Sequence, residues 1–236
     1  MNQDYKILLT GGSGTLGTEL LNLFKHTKYT VLSPRSSELD IQDYVACRDW
    51  FKINKPDLVI HSAAYTNVKE SEQNFIKSIN INIIGTCNMI RCCEEQNIKL
   101  VYISTDYVFD GEKGNYKTTD AINPLSKYAK SKAAGELAVR MYENSLVIRT
   151  SFYGYNFPYE KAFVDQWSSK DYVDIIAPKI LKESTSNKTG ISHIAGTRRT
   201  IFDIAKERAS NVVAAFRNEI KYKIPHDTSL EIESSN

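Results

Sequence analysis

The chain has 236 residues, enough for one large domain or a domain with a small appendage, and its hydrophobic share of 42% and charged share of 25% are those of an ordinary globular protein. A formal net charge of +2 gives no electrostatic footprint for nucleic acid or for an anionic membrane. The polar start MNQDYKILLT lacks the charge pattern of a signal peptide, and no stretch approaches the roughly 20 apolar residues of a membrane helix, so a soluble, cytoplasmic protein is expected.

Tyr5 to Thr10 is a short apolar run that ends in the turn GGSGTLG, after which Leu16, Leu20, Leu21, Leu23 and Phe24 recur at helical spacing. This reads as strand, turn, helix. Gly11, Gly14 and Gly17 have the spacing GxxGxxG. The first serves the tight turn, the second lets backbone approach a pyrophosphate, and the third allows close helix–strand contact. A plain tight turn explains the same letters, but placement at the first strand of an alternating chain favours a dinucleotide site.

Tyr29 to Leu32 is a second short strand, followed by SPRSSELD. In a dinucleotide fold this strand ends beside the adenosine ribose, where a basic residue accommodates the 2′-phosphate of NADP. Arg35, Ser36 and Ser37 stand there, which points to NADPH, with NADH also admissible. A helix from Gln42 to Asn54 follows, with Asp40 as its expected cap. Asp57 to His61 is a third strand, and the small residues Ala63 and Ala64 after it would let a flat ring or ribose approach. His61 lacks partner ligands nearby and reads as a structural histidine. Glu70 to Asn97 is helical with an irregularity near Ile79 to Gly85.

A fourth strand, Ile98 to Ile103, leads into the hydroxyl pair Ser104 and Thr105. Pro124 is expected in the first turn of the next helix, which sets Tyr128 and Lys132 four apart on one face. A phenol beside an ammonium is a tunable acid, suited to protonating a reduced carbonyl. With 14 Tyr in the chain, about one YxxxK pair arises by chance, and Tyr65 with Lys69 is such a decoy. Only the Tyr128 pair follows a strand, a hydroxyl pair and a loop. Ser145 to Thr150 is a further strand.

Strict alternation of strand and helix implies a doubly wound parallel α/β sheet of Rossmann type, with the ligand crevice beyond the carboxyl ends of its strands. Residues 1–152 are expected to form the dinucleotide-binding domain. Residues 153–236 are expected as a small substrate lobe, with a helix at Ile175 to Leu181, a strand at Gly190 to Ile194, a helix at Ile201 to Arg208, and a polar tail from Asn211 with little to bury. Cys47, Cys87, Cys92 and Cys93 fit no zinc spacing and read as reduced, mostly buried small apolar residues; no metal is expected.

TGGSGTLG, LDI, PDLVIHSAAYTNV, NIIGTCN, STDYVFDG, PLSKYAKSKAAGE and IRTS together make the chain resemble an extended short-chain dehydrogenase/reductase, and more closely the dTDP-4-dehydrorhamnose reductase family of sugar-nucleotide reductases. The resemblance implies Thr105, Tyr128 and Lys132 as the catalytic set. Gly11, Ser13, Gly14, Thr15, Leu16, Gly17, Asp40, Ile41, Ala63 and Ala64 would hold the dinucleotide, with Ser104, Arg35 and Ser36 on the same side. Asn67, Val68, Asp106, Tyr107 and Phe152 would face a nucleotide-diphosphate sugar. Related dehydratases typically carry Glu where Tyr107 stands, so simple reduction of a C4 ketone is favoured. Asn82 matches a helix motif of that family and reads as structural. Phe152 stands where the family commonly has Trp, and the segment from Phe157 to Gln166 looks short. The C-terminal YKIPHDTSLEI faintly resembles the family's terminal substrate-side segment. Two other readings share the fold: a non-catalytic regulatory subunit, and an epimerase or dehydratase. A homodimer is compatible with the sequence.

Overall fold

The computed structural model describes residues 5–219 and 224–232. Its first half alternates as expected: β1 (Lys6–Thr10), α1 (Thr15–Phe24), β2 (Thr30–Leu32), α2 (Tyr44–Asn54), β3 (Leu58–His61), α3 (Val68–Gln73), α4 (Ile76–Ser78), a π-helical segment at Ile79–Gly85, α5 (Thr86–Glu95), β4 (Lys99–Thr105), α6 (Lys127–Val139) and β5 (Ser145–Thr150). The second half holds β6 (Phe152–Tyr153), β7 (Lys161–Phe163), β8 (Trp167–Ser168), β9 (Asp171–Tyr172), α7 (Val173–Ser184), β10 (Gly190–Ile194), β11 (Arg199–Thr200), α8 (Ile201–Lys206) and β12 (Val213–Ala215).

Six strands form one sheet in the order β10-β5-β4-β3-β1-β2, and every pairing in it is parallel. Apolar side chains on both faces drive this: Ile7, Leu9, Ile60, Val101 and Ile148 pack on one side against α1 and α7, while Leu8, Val59, Leu100, Tyr102 and Val147 pack on the other with Phe51, Met89 and Cys92. Strand order reverses between β1 and β3. That switch point opens the crevice at which a doubly wound sheet takes its ligand.

The expected boundary at residue 152 does not divide the molecule. Gly190–Ile194 pairs with Leu146–Thr150 as the outer strand of the main sheet, and α7 buries Val173, Ile176, Ala177 and Ile180 in the same core as α1. The reason is coverage: without them β5 would present an apolar face and an unpaired edge to water. What remains as a lobe is three two-stranded pieces, β6 with β9, β7 with β12 and β8 with β11, around Phe157, Ala162, Tyr172, Ile201 and Ile204.

Local chemistry moves one expected cap and one residue expected in a first helical turn. Asp43, not Asp40, caps α2 by accepting from the Val45 and Ala46 amides, while Asp40 accepts from the Gln42 amide one turn earlier. Pro124 lies ahead of α6 rather than inside it, because Ser126 takes the cap by accepting from the Ala129 amide. The irregularity expected near Ile79 to Gly85 is the π-helical segment, and Asn82 within it is structural. Its amide side chain closes on both the N–H and the C=O of Tyr65 and donates to the Ser131 hydroxyl at 2.8 Å. Helix α6 approaches this segment through Gly135, where a Cβ would lie 2.6 Å from the Asn82 carbonyl. That contact fixes the helix bearing Tyr128 and Lys132.

The tail departs most from expectation. Asp227, Thr228, Ser229 and Leu230 are buried, and the Asp227 amide donates to the Gly111 carbonyl while the Tyr116 amide donates to that of Ser229. Short polar side chains make this burial tolerable, since each finds a partner: Asp227 accepts from Ser229 and from Arg198. Tyr222 and Lys223, with which the stretch resembling a substrate-side segment begins, lie outside the described residues.

Candidate active site

The glycine turn between β1 and α1 is built for close approach. Gly11 has φ +75°, and a Cβ on it would lie 2.6 Å from the Ala63 amide nitrogen. A Cβ on Gly17 would lie 2.2 Å from the Gly11 carbonyl oxygen, so the helix can seat against the turn only with glycine at this position. Ser13, Gly14 and Thr15 are exposed at the mouth, and the first-turn amides of α1 have no intrahelical partner. No acidic residue occupies that first turn. These features fit a pyrophosphate. Leu16 sends its side chain into the core, so only its backbone faces the turn.

Around this mouth, Ala63 and Ala64 are half-buried beyond β3, and Arg35, Ser36 and Asp40 are exposed beyond β2. The Arg35 amide donates to the Glu38 carboxylate at 2.7 Å, tightening the loop that presents its guanidinium. Ile41 is buried and packs on Gly85, while its carbonyl accepts from Asn88. Ser104 turns away from the crevice. Its hydroxyl is buried and donates to Glu136 at 2.7 Å, so a contact of this side chain with a cofactor is not available in this arrangement.

At the end of β4 the chain enters a short 3-10 turn over Asp106–Val108, capped by Thr105, which accepts from the Tyr107 amide at 3.1 Å. The Thr105 hydroxyl donates to Asp106 Oδ1, and Oδ2 of the same carboxylate accepts from Thr228. Asp106, expected to face a sugar, is instead fully enclosed. Its two oxygens are occupied in holding Thr105 and the tail. Tyr107 beside it is half-buried, with its hydroxyl accepting from Lys170 at 3.2 Å.

Tyr128 and Lys132 share one face of α6, and their surroundings differ from the simple picture of a phenol beside an ammonium. Burial pushes the Tyr128 phenol up, and Asp106 and Tyr107 add to the rise. The leading cation that favours its phenolate is Lys170, and the Thr105 side chain stands beside the phenol with its hydroxyl proton held by Asp106. Lys132 is 3% exposed and donates to the Ile103 carbonyl at 2.8 Å, with Nζ 4.1 Å from the centre of the Tyr102 ring. Burial lowers it to about 7, against the opposing pull of Glu136.

Beneath these groups lies a buried ion pair. Arg149 and Glu136 are both fully enclosed, with Arg149 Nε 3.1 Å from Glu136 Oε1 and Nη2 2.6 Å from the same oxygen. Ser104 donates to the carboxylate, Arg140 stands 4.0 Å from it one turn along α6, and the Arg149 guanidinium also donates to the Thr118 carbonyl. The pair ties β4, α6 and β5 together below Thr105 and Lys132.

Of three further expected residues, Asn67 and Phe152 have structural tasks on view. Asn67 caps α3 by accepting from the Glu70 amide at 3.0 Å, Val68 is exposed beside it, and Phe152 packs against the main core. Sequence reasoning missed Lys170 and Thr228, since a lone lysine in a charged stretch and a threonine in a polar tail carry no periodic or motif signal. Cys47, Cys92 and Cys93 are buried thiols, with Cys47 and Cys92 pushed up to about 12 by burial, and the described residues hold no cluster of metal-binding side chains.

The profile of the RmlD substrate binding domain family matches residues 5–181. A dTDP-4-dehydrorhamnose reductase of Aggregatibacter actinomycetemcomitans is 36% identical over 182 residues, which is 74% of this chain and 61% of that protein. The spore coat polysaccharide biosynthesis protein SpsK of Bacillus subtilis is 33% identical over 210 residues, 81% of this chain and 74% of that protein. The chain thus spans about three fifths of the first of these relatives. A solved structure of dTDP-4-dehydrorhamnose reductase from Bacillus anthracis in complex with NADP superposes with a TM-score of 0.90 at 27% identity, covering 98% of this chain and 92% of that one. With a Rossmann-like parallel sheet and a family profile extending over most of its length, the chain belongs to the RmlD substrate binding domain family.

Proposed function

We propose that this protein reduces the C4 ketone of a nucleotide-diphospho-4-keto-6-deoxysugar with a nicotinamide cofactor, NADPH in preference to NADH. The observation that carries the reading is the convergence of Thr105, Tyr128 and Lys132 at the carboxyl end of β4, beside a glycine turn fitted to a pyrophosphate. The names of the relatives, dTDP-4-dehydrorhamnose reductase among them, supply the substrate class, and the exposed Arg35 beyond β2 supports a 2′-phosphate on the cofactor.

When bound, the dinucleotide supplies the hydride that reaches C4. Tyr128 gives its proton to the carbonyl oxygen, so that the ketone becomes a hydroxyl as the dinucleotide is oxidised. Thr105, held by Asp106 and the Tyr107 amide, lies beside the phenol, and its hydroxyl, which rests on Asp106 before substrate enters, hydrogen-bonds the carbonyl oxygen as charge develops there. Lys132, anchored on the Ile103 carbonyl, would hold the nicotinamide ribose of the cofactor. A purely regulatory chain has no need of this set, and its completeness supports catalysis.

The test follows absorbance of the reduced nicotinamide with purified protein, NADPH or NADH, and a panel of enzymatically generated 4-keto-6-deoxysugar nucleotides. Oxidation of NADPH with one of them is expected. Absence of oxidation, while dinucleotide binding is still seen by thermal shift, would replace the reductase reading with the regulatory one.

A further inference from the structure

Lys170 is a cation brought into the crevice from the far half of the chain. It follows β8, where its amide donates to the Ser168 hydroxyl, and its ammonium reaches the hydroxyl of Tyr107 at 3.2 Å. Nζ lies 4.7 Å from the centre of the Tyr107 ring and 5.4 Å from that of Tyr153. Two aromatic faces and a phenol hydroxyl are therefore its near surroundings. Among the described residues no carboxylate stands within ion-pair distance of it; Asp106, whose charge it feels, is engaged with Thr105 and Thr228.

An ammonium has three N–H donors, and one hydroxyl acceptor leaves most of that capacity unused. Withdrawing a cation from water without an anion close by is costly, so such a group persists where a ligand completes it. Arg149 makes the contrast within this same protein: it is more deeply buried, and it carries Glu136, Thr118 and Phe109 around its guanidinium. The fold thus supplies a partner for one enclosed cation and leaves the other facing the crevice that holds Tyr107 and Tyr128. The anion that a nucleotide-diphospho-sugar brings into this crevice is its diphosphate.

We propose that Lys170 is a binding residue for the phosphoryl oxygens of the substrate's diphosphate, seated between Tyr107 and Tyr153 on the substrate side of the crevice. The proposal rests on the sugar-nucleotide reading above. An ammonium is a point donor that tolerates several phosphate orientations, and the aromatic walls shield it from solvent, which strengthens its pull on an anion. The cofactor's own phosphates are the other source of this chemistry, and Gly11 to Gly17 and Arg35 already provide for those.

The experiment measures dissociation constants by calorimetry for dTDP, thymidine and NADPH with the wild-type protein, Lys170→Met and Lys170→Arg. Lys170→Met is expected to weaken dTDP on the order of tenfold to a hundredfold, to leave thymidine and NADPH unchanged, and to lose the salt dependence of dTDP binding. Lys170→Arg is expected to recover most of the affinity, which a merely space-filling side chain would not do. Unchanged NADPH affinity certifies that each variant is folded. Equal dTDP affinity in wild type and Lys170→Met overturns the proposal, as does no dTDP binding by the wild type, or a loss confined to NADPH. The two readings fail separately: Lys170-dependent dTDP binding without NADPH oxidation sinks only the reductase, whereas oxidation with unaltered dTDP affinity in Lys170→Met sinks only the role of Lys170.

Discussion

The hydroxyl of Thr228 donates to Asp106 Oδ2 at 2.8 Å across 122 positions of the chain. Through it the tail reaches the residue that holds Thr105, because the other oxygen of Asp106 accepts the Thr105 hydroxyl at 3.1 Å. Replacing Thr228 by Val keeps the shape and removes the donor, leaving one oxygen of an enclosed carboxylate without its partner. The expected cost is about 1–3 kcal/mol in unfolding free energy, with a fall in turnover and unchanged cofactor affinity. Urea denaturation and steady-state kinetics check it. Wild-type stability and turnover together would show that the tail contributes nothing through Asp106.

Tyr128→Phe removes the proton donor and nothing that touches the dinucleotide turn. Turnover with the cognate ketosugar should fall on the order of a hundredfold or more, while NADPH affinity stays within a factor of about two. The KM-independent loss separates a chemical role from a binding role. Full activity in this variant would move the acid to another group in the crevice.

The alternating half of the chain was legible because its signals are local. β-branched runs, glycine spacing and helical periodicity each act within a few residues, and Lys6–Thr10, Thr15–Phe24 and Ser145–Thr150 fall where those patterns place them. The π-helical segment was visible only as a break in period. What could not be read was long-range. Gly190–Ile194 carries no mark saying that it returns to the main sheet, and the buried run Asp227 to Leu230 reads as polar because its partners, Arg198 and Asp106 among them, are distant in sequence. Asp106 shows the limit of transfer by resemblance: the letter was placed beside the sugar, and the fold encloses it. Lys170 was passed over for the complementary reason, since its meaning depends on Tyr107 and Tyr153, which only the fold brings to it.

The pair beneath the site predicts an asymmetric response. Arg149→Leu leaves Glu136 enclosed with Ser104 and only the half-exposed guanidinium of Arg140, 4.0 Å away, to offset its charge, and a loss of about 3–5 kcal/mol is expected. Replacing both members by apolar residues should cost clearly less than the single change, because no uncompensated charge remains. A double-mutant cycle in urea reads this directly. Additive losses from the two single replacements would contradict a coupled pair.

Lys132 gives the stability of the protein a pH dependence of definite sign. In the folded state burial lowers it to about 7, whereas an ordinary lysine titrates at 10.5. Between those values the unfolded chain binds a proton that the folded protein does not. Stability therefore rises as pH increases through this window, by at most about 1.4 kcal/mol per pH unit from this one group. Below pH 7 both states carry the proton, and the penalty for a charged, enclosed ammonium is fully in place. Lys132→Met abolishes the linkage while filling a similar volume. The difference in unfolding free energy between wild type and Lys132→Met, measured at several pH values from about 7 to about 10, should move steadily in favour of the wild type as pH rises. A difference independent of pH would mean that the folded protein holds Lys132 protonated throughout, and the Ile103 carbonyl and Glu136 would then outweigh burial.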